Sequence, residues 1–136
     1  MTPAERETAL VADLSFLPSW QERLEELLRR DRLRPGLGPA ERAEAQRVPG
    51  CLSRVWLVAE RTADGRCHCR ADAEAPAIRA LVGTLASLYD AAPAAAVAAH
   101  EPTFLATLGL EAHLTGTRRE AFAKTRAAIR ACATTK

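Results

Sequence analysis

The apolar positions of this chain recur at helical spacing toward both ends and at strand spacing in the middle. Leu10, Val11 and Leu14 share one face of a helix that starts near Pro3, where proline is tolerated in the first turn, and ends before Pro18. Ser19 followed three residues later by Glu22 is a capping box, and it predicts a second helix with Trp20, Leu24, Leu27 and Leu28 as its apolar stripe. Pro35, Gly36, Gly38 and Pro39 break the chain, after which Ala40 to Arg47 predicts a short polar helix. Val48-Pro49-Gly50-Cys51 interrupts helix and leads into a β-rich run from Leu52 to Glu60. Asp64-Gly65 predicts a tight hairpin turn at positive φ. The returning strand, Arg66 to Ala71, alternates Arg66, His68 and Arg70 against Cys67, Cys69 and Ala71.

From Pro76 the helical period returns, with Ile78, Leu81, Val82, Leu85, Leu88 and Tyr89 on one face of a long helix. Pro93 opens an alanine-rich helical piece, and Pro102 opens another carrying Phe104, Leu105 and Leu108. The last helix is expected to start at Thr117, with Glu120 completing a capping box and Phe122, Thr125, Ile129 and Cys132 along one side. Helices, a hairpin and helices again predict an α+β fold, a small antiparallel sheet covered on one face by several helices. At 136 residues the chain suits one domain, 1–136.

Charge changes this picture little. Acids and bases interleave to a net charge of +2, without the unrelieved basic stripe that nucleic acid requires. The densest basic run, Arg29, Arg30, Arg32 and Arg34, contains Asp31 and follows Glu22, Glu25 and Glu26; it reads as a solvated helix end, or otherwise as a docking surface for an acidic partner. Charged residues near the start leave no apolar export signal, and no stretch approaches membrane-span length, so the expectation is a soluble, cytoplasmic protein. Cys51, Cys67, Cys69 and Cys132 are then expected as thiols.

Cys51 is the cysteine placed on a sharp turn, after a proline that limits φ and a glycine that removes side-chain bulk. Arg47 and Arg54 flank it and favour the thiolate, whereas burial opposes it, which leaves the sign of any pKa shift open at this point. Val48-Pro49-Gly50-Cys51-Leu52-Ser53-Arg54-Val55-Trp56-Leu57 closely resembles the V-x-G-C-x-S-x-V-W-[LI] signature of the SufE family. The resemblance extends from about Leu10 to Ala133 through the helix opened by Trp20, the Asp64-Gly65 turn, Asp72 before the long helix, Leu88-Tyr89-Asp90, and His113-Leu114-Thr115 followed by Arg118.

The resemblance implies a fold like that of the U-type cluster scaffold, with Cys51 at the tip of a loop before the first strand. It implies that Cys51 takes the outer sulfur of a persulfide on a SufS-type cysteine desulfurase, stimulates that enzyme, and passes the sulfur to a SufB-type scaffold complex. Gly50, Ser53, Asp72, Glu74 and Arg118 become the implied partner-binding residues. Two departures stand out: Ala71-Asp72-Ala73-Glu74 replaces the usual Gly-Asp-Ser-Asp, lengthening the second acid, and Leu52 stands where glutamine is common. Pyridoxal phosphate belongs to the partner, since Lys124 and Lys136 are the only lysines here and no large fold surrounds them. The chain is expected to carry no cofactor beyond the covalent persulfide.

Cys67 and Cys69 project to the same face of a strand and read as core packing, because no zinc spacing emerges around them. Cys132 reads as packing on the last helix, and His100 as a residue suited to a helix C-terminus. His113 is a further candidate as a base for Cys51. Two alternatives to a sulfur carrier stay open: a metal or cluster scaffold in which Cys51 joins Cys67, Cys69 or His113, and a non-covalent desulfurase activator. Monomer and homodimer both fit.

Overall fold

The computed structural model describes residues 1–135. In chain order it contains α1 (Pro3–Ser15), α2 (Trp20–Arg32), β1 (Val55–Arg61), β2 (Arg66–Ala73), α3 (Pro76–Tyr89), β3 (Ala92–Pro93), α4 (Ala94–Ala99), α5 (Phe104–Thr107) and α6 (Gly116–Thr134). Single 3-10 turns occupy Glu44–Gln46 and Glu111–His113. The α+β class predicted from spacing is the class observed. Among the described residues, no helix is long and apolar enough to cross a membrane.

The starts of α1, α2 and α6 follow N-cap side-chain oxygens that reach free N–H groups. Thr2 and Glu5 form a reciprocal capping box at α1, a signal not read from the sequence. At α2 the predicted box is half formed: the Ser19 hydroxyl accepts the Glu22 N–H at 3.2 Å. The expected start of α6 at Thr117 is corrected to Gly116, because the hydroxyl of Thr115 accepts the Arg118 N–H at 3.2 Å and extends the helix backward. The polar helix expected over Ala40 to Arg47 shrinks to turns and the 3-10 turn. It has no apolar stripe to bury, and Glu41 and Arg42 turn instead to Arg70 and Asp72 on the sheet.

The sheet has the order β1-β2-β3 and is antiparallel, with Val55 opposite Ala73 and Arg61 opposite Cys67. Val55, Leu57, Cys67, Cys69 and Ala73 join the buried core together with Leu81, Val82, Leu85 and Tyr89 of α3 and Ile129 of α6. The opposite face carries exposed Glu60, His68 and Arg70. β1 starts at Val55 rather than Leu52, since Cys51 to Arg54 remain loop, and β2 runs two residues beyond Ala71. The hairpin connection is a four-residue loop in which Gly65 alone has positive φ, at 80°. The Asp64 carboxylate instead accepts the Thr62 hydroxyl and the Arg66 N–H, which keeps that residue out of the left-handed region. β3 was not predicted; two residues pairing with Arg66 and Cys67 leave no alternation to detect.

Arginines close the C-terminal ends of the helices, where backbone carbonyls lack partners. Arg6 donates to the carbonyls of Ser87, Leu88 and Asp90 at the end of α3, and Arg23 donates to Ser15 and Leu108. Arg126 donates to Val97 and His100 beyond α4, with its guanidinium 4.8 Å from the Tyr89 ring centroid. The basic run at the end of α2 is only partly solvated: Arg29 and Arg30 pair with Glu26, while Asp31 is buried against Arg34 and Arg79. His100 does more than sit at a helix end. Its Nδ1 lies 2.9 Å from the Tyr89 hydroxyl and its Nε2 3.1 Å from Glu7, whose carboxylate also accepts the N–H groups of Thr103 and Phe104.

Burial pushes the Cys69 thiol up to about 12, with Cys67 and Cys132 adding to the effect. Above the ordinary value of 9.0 the unfolded chain therefore releases this proton while the native chain retains it, so stability falls as pH rises. The slope contributed is roughly 1.4 kcal/mol per pH unit. Melting curves at pH 8, 9 and 10 should show Cys69→Ala losing less stability across that range than the parent; equal losses would exclude this thiol as a contributor.

Candidate functional site

The site is assembled from the carboxylate of Asp72, which is 0% exposed. One oxygen accepts the Leu37 N–H at 3.0 Å and the Arg42 guanidinium at 2.8 and 3.2 Å; the other accepts the Ala73 N–H at 2.8 Å and faces Arg79 Nε at 3.3 Å. Burial opposes ionisation of Asp72, but the hydrogen bonds from Arg42 and the two N–H groups, with the Arg42 charge, hold its carboxyl below the ordinary aspartate range. Arg42 in turn lies 5.3 Å from the ring centroid of Trp56, the cross-strand neighbour of Asp72. The segment from Leu37 to Arg42 is thereby clamped onto the sheet.

From that clamp the chain runs along the β1 edge. Arg47 bridges to Trp56 and the Val48 N–H donates to the Val55 carbonyl at 2.8 Å. The chain must then reverse within Pro49 and Gly50 to enter β1, and Gly50 does so at φ 79°. A Cβ on Gly50 would lie in ordinary contact, 3.4 Å, with the flexible end of Lys124, so it is the conformation rather than space that calls for glycine. Cys51 follows, half-buried against the core. Leu52, beside it, is 82% exposed.

The sign left open by the sequence is upward. Burial raises the Cys51 thiol and the charge of Glu120 adds to it; Lys124 and Arg47 oppose without prevailing. Arg54, expected to favour the thiolate, instead pairs with Glu74 at 3.8 Å, and the Glu74 N–H donates to the Arg54 carbonyl. Ser53 is half-buried in the same loop, and Glu74 is exposed where β2 ends. Arg118 is half-buried in the first turn of α6, with Glu120 and Lys124 following on that helix.

Gly50, Ser53, Glu74 and Arg54 thus gather around the mouth of β1, with α6 alongside. Asp72 belongs to the region through its clamp; a fully buried carboxylate offers no surface for direct contact. The imidazole of His113 stacks on Trp20 at 4.1 Å, and among the described residues no hydrogen bond joins it to Cys51. Cys67 lies at the other end of the hairpin register, so the structure does not bring Cys51 together with the C-x-C pair. Among the described residues, no three His, Cys, Asp or Glu side chains form a group able to hold a metal ion. Glu120 and Lys124 were missed as site residues. Their four-residue spacing on a helix was legible, but nothing in the sequence places that face against a loop about 70 residues earlier.

The arrangement defines a class: a small α+β domain that offers one loop thiol beside a helix bearing an acid and a base. The profile of the SufE family, described as the Fe-S metabolism associated domain, matches residues 8–133, and the chain belongs to that family. It is 35% identical over 121 residues to a chloroplastic quinolinate synthase of Oryza sativa subsp. japonica, covering 89% of this chain and 17% of that protein. It is 30% identical over 105 residues to the sulfur acceptor protein CsdE of Escherichia coli (strain K12), covering 76% of this chain and 71% of that protein. An uncharacterized SufE-like protein of Rhizobium etli is 29% identical over 93 residues, 66% of this chain and 63% of its own length. The solution structure of a hypothetical protein from Thermus thermophilus superposes with a TM-score of 0.75 at 24% identity, covering 98% of this chain and 96% of that one, a likeness of fold.

Two outcomes follow from the geometry. Asp72→Ala leaves Arg42, Arg79 and the Leu37 N–H without their shared acceptor and should cost about 3 kcal/mol in chemical denaturation. Because the fold favours ionised Asp72, that stabilisation is present above the ordinary aspartate range and is lost as pH falls through the lowered value. For Cys51, Glu120→Gln should move the midpoint of the pH profile of iodoacetamide alkylation downward and Lys124→Gln upward. Each should change the rate at pH 8 by about two- to threefold, and midpoints that do not move would show that neither charge reaches the thiol.

Proposed function

We propose that Cys51 accepts sulfane sulfur from a persulfide on a cysteine desulfurase of the SufS type and carries it toward iron-sulfur cluster assembly on a SufB-type scaffold. The Cys51 thiolate attacks the outer sulfur of the donor persulfide, the donor S–S bond breaks, and the donor cysteine leaves as a thiolate. Cys51 becomes the persulfide, and the exchange involves no net oxidation. Clearing the donor sulfur in this way stimulates the desulfurase.

The observation that carries this reading is the placement of Cys51: a half-buried loop thiol on a left-handed glycine turn, in a chain of the SufE family and similar to a protein named as a sulfur acceptor. The raised thiol pKa suits a resting carrier, since it keeps Cys51 protonated until a partner alters its surroundings. Displacing Glu120 from the thiol, or drawing Lys124 closer, lowers that pKa at the moment of transfer. Exposed Leu52 beside the thiol, Glu74 where β2 ends and Arg118 in the first turn of α6 supply the docking surface. A cluster scaffold is the weaker reading, because the other cysteines lie at the far end of the hairpin.

The test is intact mass under non-reducing conditions after incubation with catalytic cysteine desulfurase and free cysteine. One added sulfur atom is expected on the parent and on a Cys67/Cys69/Cys132 triple alanine variant, and none on Cys51→Ser. Desulfurase stimulation that persists in Cys51→Ser would instead establish a non-covalent activator.

A further inference from the structure

Cys67 and Cys132 take no part in the chemistry above, yet the fold brings them together. Cys67 is 0% exposed on the inner face of β2, directly across from Arg61 on β1. Arg61 reaches over to the end of α6, donating to the Ala133 carbonyl at 3.3 Å and to the Thr135 carbonyl. The last turn of α6 is therefore fixed at the turn end of the hairpin, and Cys132 lies in that turn, half-buried. The two thiols are near enough that Cys132, after burial, pushes the Cys67 thiol further up. Cys69, two residues farther along β2, is displaced by about 7 Å along the strand.

We propose that Cys67 and Cys132 form a redox-active dithiol that a hydroperoxide converts into an intramolecular disulfide, stapling the C-terminal turn of α6 to β2. Cys132, the more accessible thiol, attacks the peroxide as thiolate; the O–O bond breaks and gives a sulfenic acid with one water or alcohol. The Cys67 thiolate then attacks the sulfenic sulfur, the S–O bond breaks, and hydroxide leaves and takes up a proton as water. Two thiols are oxidised by one peroxide, and the hydrogens leave in the two oxygen products. Burial of Cys67 withholds it from the oxidant and reserves it as the resolving thiol. The hairpin register keeps this pair away from Cys51, so the proposal does not rest on the sulfur-carrier reading.

The full chain carrying Cys51→Ser is treated with hydrogen peroxide, alkylated and digested with trypsin. The expected product has lost two hydrogens by intact mass, remains a single chain, and joins the Cys67–Arg70 fragment to the Ala131–Lys136 fragment. Both Cys67 and Cys69 lie in the first fragment, so single variants assign the bond: Cys69→Ala should retain it, and Cys67→Ala and Cys132→Ser should abolish it. Cys132 is half-exposed, so its serine variant is expected to keep the parent circular dichroism spectrum. The oxidised chain should melt about 5 °C or more above the reduced one, a difference absent in Cys132→Ser. Oxygen atoms added to Cys132 without a crosslink, linkage between two chains, or a crosslink that survives Cys67→Ala would each overturn the proposal.

Discussion

The buried carboxylate of Asp72 is the constraint on which the presentation of Cys51 depends. It stands where β2 gives way to α3, and it draws the Leu37 amide, Arg42 and Arg79 onto one point. A loop with no apolar stripe of its own is held to the sheet by charge-assisted hydrogen bonds rather than by burial. Ion pairs of this kind are weak at a surface but costly to break once one partner has left water. With the loop fixed at Leu37 to Arg42 and again at Val48, only Pro49 and Gly50 remain to set the direction in which Cys51 points.

The same logic explains why an arginine-rich chain shows no single-sign surface. Arg6, Arg23, Arg61 and Arg126 direct their donors to the carbonyls at helix ends, and Arg42 and Arg79 serve Asp72. Their number answers to short helices with many exposed termini, each leaving carbonyl groups to satisfy. The polar network of Glu7, His100 and Tyr89 works similarly, tying α1 to the short α4 and α5, which bury too little to be held by apolar contact alone.

Four thiols occupy three different environments, and environment rather than residue type separates their chemistry. Cys69 is held protonated deep in the core, Cys67 is buried near the half-buried Cys132 at the margin, and Cys51 is half-buried between an acid and a base of α6. Both ends of that helix face a cysteine: its first turns face the loop thiol and its last turn faces the hairpin thiol. A single rigid element thus borders two thiol sites that the sheet keeps apart.

The long apolar periods of α1, α2, α3 and α6, the alternation of β2 and the family signature around Cys51 were legible in the sequence, because each rests on neighbours within a few residues. The short elements were not. β3 and the 3-10 turns lack enough residues for any period, and Thr115 rather than Thr117 caps α6 because its hydroxyl is the one that reaches a free N–H. Local sequence was enough to place Cys51 on a sharp turn and to assign the faces that turn inward, since sterics at Pro49-Gly50 and hydrophobic spacing act over short stretches of chain. The sign of the Cys51 shift, the burial of Asp72 and the meeting of Cys67 with Cys132 came from the folded arrangement instead. Those depend on which distant charges and carbonyls share one low-dielectric space, and that is set by packing.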